Sequence, residues 1–154
     1  MMQIRHNLSQ EERRQWMKEL SLAPFDQLSE LWEAFSDKPS YKHLRATESG
    51  LVQVRGKLGN TGDRFNMGDV TMTRAFIALE NGLNGFAYVQ GRNKQHADIA
   101  AVLDALMQSD SAPAVNELIL GPLNQARIER RRAATEETLK TKVDFFTLVR
   151  GEDE

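Results

Sequence analysis

Val70-Thr71-Met72-Thr73-Arg74-Ala75-Phe76-Ile77-Ala78-Leu79, then Asn81-Gly82, then Phe86-Ala87-Tyr88-Val89, is the stretch whose reading decides the fold. The first segment is rich in β-branched residues and long enough for a central strand. Asn-Gly supplies the backbone angles of a tight hairpin, so the second segment is expected to return antiparallel to the first. Upstream, Leu51-Val52-Gln53-Val54-Arg55 alternates like a strand with one buried face. His43 to Ala46 reads as a short strand before it, with Glu48-Ser49-Gly50 as the turn between them. Residues 41–90 are therefore predicted to form a three- to four-stranded antiparallel sheet.

Helical periodicity flanks this sheet. Ser9-Gln10-Glu11-Glu12 is a capping box, in which the serine hydroxyl and Glu12 satisfy each other's backbone amides. A helix should follow with Trp16, Met17 and Leu20 on one face. Pro24 suits the first turn of a second helix, whose stripe is Phe25, Leu28, Leu31, Trp32 and Phe35. The two are predicted to form a helical hairpin over residues 9–36, with both tryptophans facing inward. After the sheet, Ile99, Ala100, Leu103, Leu106 and Met107 line one helical face, and further helices are expected to about residue 140. Helix pair, sheet, then helices is an α+β order, and 154 residues suit a single domain.

Composition excludes several kinds of chemistry. There is no cysteine, which removes disulfides, thiolate catalysis, iron–sulfur ligation and cysteine-ligated zinc from this chain. Twenty Lys and Arg against twenty-two Asp and Glu give a formal net charge of -2, with no global pull toward nucleic acid or anionic lipid. No apolar run approaches the ~20 residues of a membrane span. The first fifteen residues carry Glu11, Arg13 and Arg14 where a signal peptide would need hydrophobic residues. A cytoplasmic protein is expected.

The candidate binding residues are cations at strand and helix boundaries. Gly91-Arg92-Asn93-Lys94-Gln95-His96-Ala97-Asp98 joins a strand to a helix, where free N–H groups and the positive dipole end favour an anion. Arg92 and Lys94 either extend into solvent or meet a phosphate or a partner's carboxylate there, and His96 is adjacent. Gly56-Lys57-Leu58-Gly59-Asn60-Thr61-Gly62-Asp63-Arg64 is either a hairpin loop or a glycine cradle for phosphate; it lacks the Gly-Lys-Ser/Thr ending of a P-loop. Arg74, in mid-strand, lies on a wet face or is paired, either within the chain or across a subunit boundary. His6, His43 and His96 are far apart and have no helical His-Glu partner, so no metal site is expected. No nucleophile–base pair stands out, and no catalytic residue is assigned. The arginines near residue 130 are interspersed with glutamates and lack stacking aromatics, which argues against nucleic acid. The apolar segment Val143-Asp144-Phe145-Phe146-Thr147-Leu148-Val149-Arg150 must dock on its own domain or on a neighbour.

A set of blocks in fixed order points to one family. These are Gly50-Leu51-Val52-Gln53, Gly59-Asn60-Thr61-Gly62-Asp63-Arg64-Phe65-Asn66, Gly68-Asp69, Thr73-Arg74-Ala75, Gly91 to Ala97, Asp104-Ala105-Leu106-Met107-Gln108 and Val143 to Gly151. Together they span roughly residues 10–151 and resemble the PhnG subunits of the carbon–phosphorus lyase core complex. Many relatives have a second glycine after Gly59, where this chain has Asn60. The resemblance implies a cytoplasmic subunit in phosphonate catabolism, required with its partners to make α-D-ribose 1-methylphosphonate 5-triphosphate from ATP and methylphosphonate. It implies membership of a multi-subunit transferase, with no independent catalysis and no cofactor in this chain. The implied partners are the other core subunits, chiefly the nucleosidase-like one, and an ABC-type ATPase-like subunit through the complex. Neither nucleic acid nor membrane is implied. Phe145, Phe146, Leu148 and Arg150 become the expected interface. Arg64, Arg74, Arg92, Lys94 and His96 become the expected anion-binding or partner-facing set. The alternative is a free-standing module that binds phosphonate or phosphate.

Overall fold

The computed structural model describes the backbone of residues 10–149 and the side chains of residues 10–141. In chain order the elements are α1 (Gln10–Leu22), α2 (Phe25–Ala34), β1 (Tyr41–Lys57), β2 (Arg64–Leu79), β3 (Asn84–Gln90), α3 (Lys94–Met107) and α4 (Ala112–Val115). A single π-helical turn (Asn116–Leu120) then leads into α5 (Gly121–Val149). The strands form one antiparallel sheet in the order β1-β2-β3, with helices before and after it, as an α+β order requires.

The turn at Asn81-Gly82 forms as the sequence predicts. Gly82 takes a φ of 84°, and the Asn81 side chain accepts the Leu83 amide at 3.1 Å. The turn predicted at Glu48-Ser49-Gly50 does not form. β1 runs straight through it for seventeen residues, and Glu48, Ser49 and Gly50 pair with Arg74, Thr73 and Met72. An unbroken β2 offers a hydrogen-bond ladder that outweighs local turn propensity, and the irregularity survives only as register shifts between His43 and Glu48. The sheet accordingly has three strands. The remaining loop, 58–63, closes the β1–β2 hairpin; the left-handed angle falls on Gly59 (φ 70°), so Asn60 need not supply one.

α3 is the centre of the molecule. From Ile99 to Met107 every residue is buried, because the sheet covers one side of α3 and α1, α2 and α4 cover the other. A helix enclosed this way is apolar nearly all round rather than on one stripe. Its alanines allow close approach: a Cβ on Gly85 would stand 1.8 Å from the carbonyl oxygen of Ala101.

The exception to that apolar surface is Asp104, which is fully buried. Its carboxylate accepts Arg13 Nε at 3.2 Å, Arg13 Nη2 at 2.8 Å, Trp16 Nε1 at 2.8 Å and the backbone amide of Phe86 at 3.0 Å. One carboxylate thus ties α1 and β3 to α3, and four donors offset the cost of burying it.

The N-terminal helices follow from this arrangement. α1 and α2 join at Ala23-Pro24, and α2 packs on α3 and the π-helical turn while α1 packs on α3 and β3. Their alignment is set through α3. Of the two tryptophans only Trp16 faces fully inward; Trp32 is half-buried and stacks on Phe35 with ring centroids 6.0 Å apart. Ser9 of the capping box lies outside the described residues. At the other end, α5 continues through the segment read as a separate apolar tail, as far as Val149. The side chains of Phe145, Phe146 and Leu148, and all of Arg150, lie outside the described residues.

Candidate functional site

The five cationic candidates do not converge. Because antiparallel partners directly opposite each other share a face, the β1–β2–β3 register divides the sheet into two surfaces. Thr73, Ala75, Ile77, Ala87 and Val89 face the helices and are buried. Arg74 lies on the opposite surface, which no described helix covers. There its Nε donates to Glu48 Oε1 at 2.7 Å, its Nη2 donates to the same oxygen, and Arg45 Nη2 approaches that oxygen at 3.1 Å. The hydrogen bond from Arg74, with the charges of Arg45 and Arg74, holds the Glu48 carboxyl below its ordinary pKa. Arg64 is ten residues along β2, roughly 30 Å away at the rise of a strand, and the register shift between Val54 and Arg55 turns the Lys57–Arg64 pair to the other surface.

Arg92 and Lys94 flank the start of α3, where both are exposed and make no ion pair among the described residues. The Asn93 side chain caps this helix by accepting the His96 amide at 3.0 Å, so one helix-start donor is already taken. His96 is turned inward: its ring is buried, with Nε2 2.9 Å from the carbonyl oxygen of Leu20 and the ring 5.9 Å from that of Phe25. It joins α3 to the C-terminal end of α1, on the opposite side of the sheet from Arg74.

One further polar cluster went unseen in the sequence. Asp98 accepts His43 Nε2 at 3.1 Å and the Thr47 hydroxyl, pinning the irregular part of β1 to α3. Tyr41 stands edge-on to His43 at 5.6 Å, and burial together with the Asp98 charge raises its pKa. The residue types are those of a hydroxyl–His–Asp triad, but the wiring is not. Both the hydroxyl and the imidazole engage the carboxylate, and the imidazole has no hydrogen bond to Thr47, so no base is set to take the hydroxyl's proton. His43 and Asp98 are fifty-five residues apart, and only the fold brings them together. Among the described residues there is also no group of three His, Asp or Glu placed to hold a metal ion.

Two features reach beyond the packed body. From Ile128 to Thr141 every side chain of α5 is exposed, and Leu139 is among them. The base of this helix is fixed by Arg127, paired with the largely buried Glu19 at 2.9 Å. In the sheet, β3 pairs with β2 only from Met72 to Ala78, so β1 and β2 run on alone as a two-stranded arm toward loop 58–63. Leu51, Val52, Phe65 and Met67 are exposed along that arm.

Residues 11–151 match the family described as phosphonate metabolism protein PhnG. The chain belongs to that family. It is also similar to the α-D-ribose 1-methylphosphonate 5-triphosphate synthase subunit PhnG of Rhizobium meliloti (strain 1021), with 44% identity over 146 residues, 92% of this chain and 91% of that protein. The match therefore takes in the arm, α3 and the whole of α5. No helix among the described residues is long and apolar enough to cross a membrane.

Proposed function

We propose that this PhnG-family chain is an accessory subunit of a synthase that makes α-D-ribose 1-methylphosphonate 5-triphosphate from ATP and methylphosphonate. The observation that carries this reading is the near full-length similarity to a subunit of that synthase. The geometry agrees with it. The candidate residues are dispersed over both sides of the sheet, His96 and Asp104 are taken up in holding the fold, and α5 projects without a packing partner along its described outer part.

In this account the chain works in the cytoplasm, carries no cofactor, and contributes assembly rather than bond-making. α5 and its continuation through Phe145, Phe146, Leu148 and Arg150 bind the nucleosidase-like subunit, and the ABC-type ATPase-like subunit is reached through the complex. The test is removal of residues 143–154. The truncated chain should fold but no longer co-purify with its partners, and intact assembly after truncation would remove the terminal segment from the interface.

A second role at the same complex is supported by the exposed, unpaired Arg92 and Lys94 at the start of α3. If they hold a phosphate of the substrate at a subunit junction, Arg92→Ala with Lys94→Ala should lower turnover several-fold in complexes of normal composition. Normal turnover in such complexes would assign those cations to solvent.

A further inference from the structure

The register shift between Val54 and Arg55 gives the arm two unlike faces. The extra residue falls in β2, at Met67, so β1 alternates without a break from Ser49 to Lys57. Ser49 lies opposite the buried Thr73 on the helix side of the sheet, and Arg55 and Lys57 continue that face beyond the body. Arg64 stands opposite Lys57, a like-charge pairing that weakens a two-stranded ribbon. Arg55, Lys57 and Arg64 make no ion pair among the described residues. The reverse face is apolar. Val52 and Val54 are exposed on it, Val52 lies opposite Val70, and a Cβ on Gly56 would collide with the Met67 side chain.

The arm is also open along one edge. In the order β1-β2-β3, β1 pairs with β2 alone, so the backbone groups on its outer edge have no strand to pair with among the described residues. Bulges and prolines commonly blunt such an edge, and β1 has neither between Ser49 and Lys57. A hairpin of two strands is marginal in water and is stabilised by a third. A second copy is a poor third strand. Residues 49–57 contain no carboxylate, so β1 laid on β1 adds cations without counter-charge.

We infer that the outer edge of β1, from Ser49 to Lys57, takes a third strand from a partner subunit of the synthase, in which apolar and acidic residues alternate. Its carboxylates fall beside Arg55 and Lys57 on one face of the arm, and its apolar side chains beside Val52 and Val54 on the other. The two-residue repeat of an extended chain, roughly 7 Å, sets both patterns. A phosphate-bearing small molecule would engage the cations but leave the open edge and the valines uncovered.

The inference rests on the subunit reading, and the experiment separates the two. The chain is co-expressed with the other synthase subunits as wild type, as Arg55→Glu/Lys57→Glu, and as Arg14→Glu/Lys18→Glu, which makes the same charge change at exposed positions of α1. Reversal on β1 turns two attractive cross-strand pairs into repulsive ones. That variant, with an unchanged circular dichroism spectrum, should be recovered in the complex at about a tenth of the wild-type yield or less. The α1 variant should assemble like wild type. Equal recovery of the β1 variant overturns the inference and leaves the subunit reading intact. Equal loss of both variants traces the effect to net charge and also overturns it. Failure of the wild type to assemble overturns both readings. Hydrogen exchange in the wild-type complex reads the edge without substitutions. Amides of residues 49–57 should slow about ten-fold or more relative to the isolated chain, and unchanged exchange there overturns the inference. An isolated chain that is a dimer by light scattering, with those amides already protected, would assign the edge to a second copy instead.

Discussion

Asp104 organises more of this structure than any other side chain. A carboxylate on an enclosed helix is stable only because Arg13, Trp16 and the Phe86 amide all converge on it. Removing it leaves a guanidinium and an indole N–H without their partner, so Asp104→Ala should lower stability by about 3 kcal/mol in urea unfolding. Loss of less than about 1 kcal/mol would mean that water replaces the carboxylate without penalty. Glu48 supplies a different residue-scale test. Its pKa is lowered in the folded chain, so its contribution is present above the unfolded value near 4.5 and is lost as pH falls through the folded value. Glu48→Gln should therefore make stability less sensitive to acid below about pH 4.5, seen as a flatter dependence of the melting temperature on pH. None of this was legible in the chain. Asp104 reads as one polar position in an apolar helix, and its donors are eighty-eight to ninety-one residues before it or eighteen before it. His96 stands out in the sequence as an anion-binding or partner-facing candidate, but the Leu20 carbonyl that engages it depends on how α1 crosses α3.

At the scale of elements, the features readable in the sequence were those with a local cause. Asn81-Gly82 specifies its own turn, and the apolar stripes of α1, α2 and α3 specify helices irrespective of what they pack against. What failed was local reasoning about a segment whose state is set by its neighbour. Glu48-Ser49-Gly50 has turn composition, but β2 continues opposite it and holds it extended. The outer part of α5 is a similar case, since nothing local separates the charged helix from the apolar stretch that follows, and the helix runs through both. The packing of α3 on the sheet gives a further test. Gly85→Ala brings a Cβ against the Ala101 carbonyl, where backbone must move rather than a flexible side chain. It should cost roughly 3 kcal/mol by calorimetry, the upper end of overpacking penalties. Gly50→Ala, with no atom within 4 Å of the added Cβ, should cost under ~1 kcal/mol. Equal effects at the two glycines would show that the close approach of α3 is not what Gly85 serves.

The whole molecule is a small packed body with two extensions, an arm from the sheet and a helix from the C-terminal side. Neither extension adds to the core, which is complete with α3, the sheet and the elements that cover α3. The family was legible in the sequence because its motifs lie in order along nearly the whole chain. The division between body and extensions was not, because exposure depends on where β3 and α3 stop. A protein built this way should lose partners before it loses its fold. Truncation at residue 142 is expected to leave the melting temperature of the isolated chain within a few degrees while abolishing assembly. On this reading the chain works inside a synthase complex. Light scattering, on the chain purified alone and after co-expression with the other synthase subunits, tests it most directly. A stable hetero-oligomer several times the mass of the single chain, containing this chain in fixed proportion, is expected. A monodisperse monomer that ignores those subunits, yet binds methylphosphonate or phosphate by itself, would contradict it.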